Sequence, residues 1–197
     1  MKAVMSQVPE DILTWRRRTG ADRWDEMWEG VLHMTPSPTR DHQDLEYHLE
    51  SWLRSQWGKP NRCLVYHQRN VAEANTWPNN YRIPDLVLLT PARFAIDHNE
   101  YLNGGPDVVV EIYSPGDESY EKLAFYAKVG VREIWIIDRD SRRPELYVCA
   151  EGACELRAAS ENGWLLSEVT GIELQAAANN KLAIRLTSRP ETVADLP

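Results

Sequence analysis

Cysteine, glycine, phenylalanine and positive charge are all in short supply in this sequence. The 197 residues hold three cysteines, Cys63, Cys149 and Cys154. This odd number, at spacings that match neither a disulfide framework nor a pair of zinc knuckles, leads us to expect free thiols in a reducing compartment. Lys plus Arg number 22 against 30 Asp plus Glu, a formal charge of −8, which excludes a protein that coats nucleic acid by bulk charge. No Gly-rich phosphate loop, Gly-x-Ser-x-Gly elbow or Cys–His signature occurs, which removes nucleotide-kinase, elbow-hydrolase and thiol-protease readings. No stretch approaches the roughly 20 apolar residues of a bilayer-spanning helix, and Met1 to Glu10 carries one Lys and no apolar core of leader length. A cytoplasmic protein without membrane contact is expected.

What is present is the composition of a folded chain: 43% hydrophobic and 26% charged residues with eight Trp, in a length that fits a single domain over 1–197. Arg23 to Met34 reads as a β-hairpin turning at Glu29-Gly30. After Pro36-Ser37-Pro38, Thr39 or Asp41 can cap a helix whose Leu45, Leu49, Trp52, Leu53 and Trp57 form one apolar stripe. Cys63 to Val71 alternates as a strand does, and Asn75 to Asn80 forms a turn. Ile83 to Thr90 and Asp107 to Ser114 are continuous apolar runs, as expected for central strands covered on both faces. A helix over Ser119 to Val129, stopped by Gly130, then leads to another apolar strand at Glu133 to Asp138. Strand, helix and strand here make a βαβ-sized unit, so the fold class is mixed α/β (α+β) with part of the sheet parallel. Strands at 145–149, 164–169 and 181–186 are expected at the sheet's margin, and both chain ends look loose, Ser188 to Pro197 as a frayed tail.

Two acids stand inside the apolar runs: Asp85 and Glu111. An ionised carboxylate buried alone costs several kcal/mol, so something must compensate each. Alternation lets two neighbouring strands bring both to one spot, where hard oxygen ligands suit magnesium or manganese. The same residues also fit strand ends that are solvated or paired with Arg. Lys122 could fold back from the following helix over the end of the Glu111 strand and stabilise charge on a phosphorane. It could equally be an exposed Lys paired with Glu118 or Glu121. His42 and Glu46 lie four apart on one side of the first long helix, a spacing that also suits a solvent-facing turn. Arg16-Arg17-Arg18 is the one basic cluster; it could touch a phosphate backbone or be a solvated helix face.

The series Ile-Pro-Asp-Leu-Val at 83–87, Val-Val-Val-Glu-Ile-Tyr-Ser-Pro at 108–115, Glu-Lys-Leu-Ala-Phe-Tyr at 121–126 and Gly-Val-Arg-Glu-Ile-Trp-Ile-Ile-Asp at 130–138 resembles the Uma-two family of restriction-endonuclease-like proteins, within the PD-(D/E)XK nuclease superfamily. Trp24-Asp25-Glu26-Met27-Trp28-Glu29-Gly30, Met34-Thr35-Pro36-Ser37-Pro38 and His42 resemble the family's opening block. The resemblance implies a central mixed β-sheet flanked by helices, a nuclease-like core over about 23–150 and additional C-terminal strands over about 151–187. It also implies that Pro84-Asp85 is the "PD" and Glu111 the "(D/E)", both ligating Mg2+ or Mn2+ with the backbone carbonyl of Ile112. Tyr113 stands where the superfamily's Lys would be, which points to Lys122 as its replacement. Glu26 matches the family's opening acid, although a hairpin Glu is ordinarily exposed, and His42 falls where the family places a His. Glu46 is the kind of accessory acid that superfamily members bring from this helix.

The implied function is a metal-dependent endonuclease hydrolysing phosphodiester bonds in DNA, as a homodimer by analogy with duplex cutting. The alternative is a catalytically inactive binding or scaffold module on the same fold, which the charge of −8 and the many Trp would suit.

Overall fold

The computed structural model describes residues 3–5 and 8–197. The leader reading of Met1 to Glu10 therefore falls partly outside the described residues. After strand β1 (Ala3–Met5) comes helix α1 (Glu10–Thr19), with acids in its first turn, three arginines in its last and Gly20 as a left-handed cap. This is the charge order that a helix dipole favours. The expected hairpin is β2 (Glu26–Trp28) and β3 (Val31–Met34). Helix α2 (Arg40–Trp52) is capped by Thr39, whose hydroxyl accepts from the His42 amide, and the helical run continues as a π-helical stretch (Leu53–Gly58) and a last turn, α3 (Lys59–Asn61).

The stretch read as one strand over 63–71 is two. Gln68, at φ 46°, breaks it into β4 (Leu64–His67) and β5 (Asn70–Ala72), which enter different sheets. Strands β6 (Tyr81–Arg82), β7 (Leu86–Leu89), β8 (Tyr101–Asn103) and β9 (Val108–Tyr113) follow. Helix α4 (Leu123–Val129) is shorter than expected and ends at Gly130, a residue at φ 87°. Gly105 fixes its far end: a Cβ there would stand 2.3 Å from the Val131 nitrogen, so only glycine allows the loop to press against the turn that follows α4. Next come β10 (Glu133–Asp138), β11 (Pro144–Ala150) and β12 (Ala153–Leu156). The chain closes with β13 (Leu165–Leu166), β14 (Ile172–Ala177), β15 (Lys181–Leu186) and β16 (Arg189–Leu196).

One sheet runs β1-β3-β2-β6-β5-β8 and the central one runs β12-β11-β10-β9-β7-β4. In the central sheet β9 and β10 are parallel, joined through α4 as the βαβ pattern predicts, while β7 is antiparallel to β9. Alternate residues of the central strands face opposite ways. Leu86, Leu88, Val108, Val110, Ile112, Trp135 and Ile137 pack with the apolar stripe of α2, whereas Val87, Leu89, Val109, Ile134 and Ile136 pack with Phe125 and Tyr126 of α4.

Three expectations change. The strand expected at 145–149 does lie toward the edge of the central sheet, as β11, but those expected at 164–169 and 181–186 belong to a separate sheet, β13-β14-β15-β16, whose Ile172, Leu174, Leu182 and Ile184 join the α2-side core. The tail from Ser188 is not frayed: β16 pairs antiparallel with β15 and Leu196 is buried. The cysteines are not all free. Register sets Cys149 opposite Cys154 across the β11–β12 hairpin, Cα atoms 4.0 Å apart, and the two form a disulfide, leaving Cys63 free. A spacing of five residues spans one tight hairpin, a short-range pairing that framework spacings do not reveal. Among the described residues no helix is long and apolar enough to cross a membrane.

Candidate active site and metal centre

Asp85 lies one residue before β7, not inside it. The ladder pairs Leu86 with Val110 and Val87 with Val109, so one further step sets Asp85 opposite Glu111. The strand has ended there, and the Asp85 side chain replaces the missing ladder partner: the Ile112 N–H donates to Oδ2 at 2.6 Å. Its other oxygen lies 2.9 Å from His42 Nε2, at the start of α2. Asp85 thus joins the edge of the central sheet to α2.

Glu111 sits mid-strand on the α4 face of the sheet, among residues that are otherwise apolar, and is buried. What compensates it is α4. Lys122, at the N-cap of that helix and not within it as a helix from Ser119 would have it, places Nζ 3.2 Å from Glu111, and Tyr126, one turn on, donates its hydroxyl to Oε1. The same Nζ is 2.8 Å from Glu26 Oε1. Glu26 is not exposed as a hairpin position suggests: it is buried and accepts from the Ile83 amide at 2.8 Å and from Trp28 Nε1 at 2.7 Å. One ammonium is therefore shared by two buried acids from two different sheets.

On the other side, Glu46 projects from α2, buried, with Oε2 4.0 Å from His42 Nε2 and Oε1 2.7 Å from Nδ1 of His67 on β4. Among the described residues Oε1 makes no contact of hydrogen-bond geometry. His42, Glu46 and Asp85 each offer an atom within 4.8 Å of the others, close enough together to hold a metal ion. Glu111 is not one of that group; its oxygens are hydrogen-bonded to Lys122 and Tyr126. Two carboxylates and one imidazole, with a buried carboxylate oxygen short of a donor, fit a divalent cation of the magnesium, manganese or zinc kind.

The electrostatics agree with a site short of positive charge. Burial, reinforced by the Asp85 and Glu50 charges, pushes the Glu46 carboxyl up to about 9. Burial likewise raises Glu111, to about 8; Lys122 opposes this while Asp85 and Glu26 add to it. Burial works against the charged forms of His42 and Lys122, yet the neighbouring acids outweigh it and both are raised: His42 by Asp85, Glu111 and Asp117, Lys122 by Glu111, Glu26 and Asp85.

Asp85, Glu111, Lys122, Glu26, His42 and Ile112 all line one cleft of about 420 Å³, walled by Thr35 to Thr39 and by the Ser114 to Ser119 turn. Glu46 and His67 line a smaller cavity of about 260 Å³, and Trp24 and Gln68, hydrogen-bonded at 3.0 Å, line both. The three arginines of α1 are not brought to the cleft. Arg16 is a strut, its Nε 2.7 Å from Asp25 Oδ2, Arg17 pairs with Glu10 at 3.4 Å and Arg18 is exposed. The sequence reading missed Tyr126 and His67 as site residues. Only the spacing of Tyr126, four after Lys122 and so on the same helix face, could have flagged the first.

Among solved structures, the chain resembles the crystal structure of a putative nuclease belonging to DUF820 from Anabaena variabilis, with a TM-score of 0.57 at 20% identity over 73% of this chain and 80% of that one. That likeness shows the fold, a mixed α/β fold of restriction-endonuclease-like type. No curated protein matches the sequence. The model of the Uma2 family, described as putative restriction endonuclease, matches residues 9–183, and by that match the chain belongs to the Uma2 family.

Proposed function

We propose that this protein is a divalent-metal-dependent endonuclease that hydrolyses phosphodiester bonds in DNA. The observation that carries the reading is the meeting of Asp85, Glu111 and Lys122 in one cleft, with His42 and Glu46 converging on Asp85 from α2. Asp85 would be the central ligand. With a metal bound, His42 and Glu46 would join Asp85 from the helix, and Glu111 and the Ile112 carbonyl would complete the site from the sheet. A magnesium or manganese ion, when bound, supplies a Lewis acid for the phosphoryl oxygens and lowers the pKa of water. Lys122, fixed between Glu26 and Glu111, holds a positive charge at the place where a phosphorane gains negative charge. Tyr126 orients Glu111 from behind. Cytoplasmic location and a homodimer, in which two-fold symmetry would match a duplex, go with this reading.

Cleavage of plasmid DNA by the purified protein with Mn2+, together with calorimetric titration of Mn2+, tests it. Asp85→Asn is expected to abolish both, the rate falling at least about 10³-fold. Full activity in that variant, or no Mn2+ binding by a folded wild type, would leave the scaffold reading in its place.

A further inference from the structure

A polyanion entering the cleft meets, among the described residues that line it, five carboxylates (Glu26, Asp85, Glu111, Asp117, Glu118) and two permanent cations, Lys122 and Arg139. Lys122 is already engaged by Glu26 and Glu111 at 2.8 and 3.2 Å. Arg139 is differently placed. It follows β10 directly, at the C-terminal end of the parallel β9–β10 pair, and its amide donates to the Tyr113 carbonyl at 2.9 Å. One edge of its guanidinium is fixed by Asp140, Nε donating to Oδ1 at 2.8 Å and Nη2 to Oδ2 at 3.2 Å. Among the described residues the remaining nitrogen, Nη1, has only the Ser114 hydroxyl, a long 3.4 Å away and itself part of the cleft wall. Asp140 is largely exposed, so water screens its charge, whereas the Arg139 side chain is four-fifths covered. A guanidinium clamped along one edge presents its other N–H groups in a fixed plane, which suits the oxygens of a phosphate.

We propose that Arg139 is the residue of this cleft that grips a backbone phosphate of the nucleic acid, a role that rests on the nuclease reading and supplies the positive charge the composition lacks. Such a contact positions the strand without reading its sequence.

The test is the salt dependence of binding to a 20-base-pair DNA duplex, with Ca2+ in place of Mg2+. In Arg139→Gln the slope of log Kd against log salt is expected to become shallower by about one, and binding to weaken alike on duplexes of unrelated sequence. Arg139→Lys is expected to keep the slope while binding more weakly. Asp140→Asn, which releases the guanidinium without removing its charge, should also keep it. A wild-type slope in Arg139→Gln overturns the proposal. So does a shallower slope in Asp140→Asn, because the effect would then belong to the turn and not to the cation. Unchanged Mn2+ affinity in Arg139→Gln separates this failure from failure of the nuclease reading, whereas a wild type with no salt-dependent binding to DNA overturns both.

Discussion

On the α4 side of Asp85, the buried acids Glu26 and Glu111 share the ammonium of Lys122, and the hydroxyl of Tyr126 completes Glu111. On the α2 side, Glu46 is met by the imidazoles of His42 and His67 and, among the described residues, is ion-paired with no Lys or Arg. The two halves bury acids to the same degree and differ in how the charge is answered. The first carries its own cation in the sequence, so it can stand folded without a metal. The second has its ligand atoms gathered within 4.8 Å and its charge unanswered, and is the half where an added cation gains most.

The sharpest way to break this contrast is to remove the built-in cation. Lys122→Met strips two buried carboxylates of the ammonium they share, and the loss of one partner of a buried ion pair costs about 3–5 kcal/mol. Thermal or urea unfolding should show a loss of that order. The double variant Lys122→Met with Glu111→Gln should recover part of it, because fewer charges are then stranded. If Lys122→Met unfolds like the wild type, the α4 half is not held together by that ammonium.

A second test weighs the two halves as metal ligands. Glu46→Gln should weaken Mn2+ binding by at least about a hundredfold, since losing a ligand costs more than losing one of the groups that support ligands, while Glu111→Gln should weaken it less. Equal losses would place the ion between Asp85 and Glu111. The same Glu46 variant has a pH signature. A carboxyl raised to about 9 in the folded protein binds a proton that the unfolded chain, at about 4.5, has already lost. Between those values the native state holds more protons, so the group's contribution to stability falls as pH rises through that window and levels off above about 9. Tm measured without metal from pH 5 to 9 should therefore decline more steeply in the wild type than in Glu46→Gln, and Mn2+ should flatten the wild-type curve.

Much of the architecture was legible because burial leaves a mark in an apolar run. Asp85 and Glu111 stood out as charges inside Ile83 to Thr90 and Asp107 to Ser114, and the α2 stripe and the βαβ unit follow from spacing alone. Lys122 was legible only through resemblance, since its spacing fits an exposed helix Lys equally well. Glu26 and Glu46 were undervalued for a related reason: each sits where the local pattern predicts solvent, and it is tertiary packing that buries them. β16, with the residues Arg-Pro-Glu-Thr-Val-Ala-Asp-Leu, alternates too weakly to read as a strand, and pairing with β15 is what orders it. The split at Gln68 turned on one backbone angle that no side-chain pattern encodes.

The smallest expected effect separates the two halves once more. The Cys149–Cys154 bond lies on the α4 side: both cysteines pack against the core under that helix, and Cys154 Sγ is 3.8 Å from the carbonyl of Leu123, the residue after Lys122. It closes a short loop, and loop-closure entropy for so few residues is worth at most about 2 kcal/mol. Reduction, or Cys149→Ser with Cys154→Ser, should therefore lower Tm by only a few degrees. Its mark on function should be one-sided: the cleavage rate falls two- to threefold as the first turn of α4 loosens around Lys122, while Mn2+ affinity stays where it was, because His42, Glu46 and Asp85 have no contact with the hairpin. Loss of metal affinity on reduction would mean that the two halves move as one, and the contrast between them would not hold.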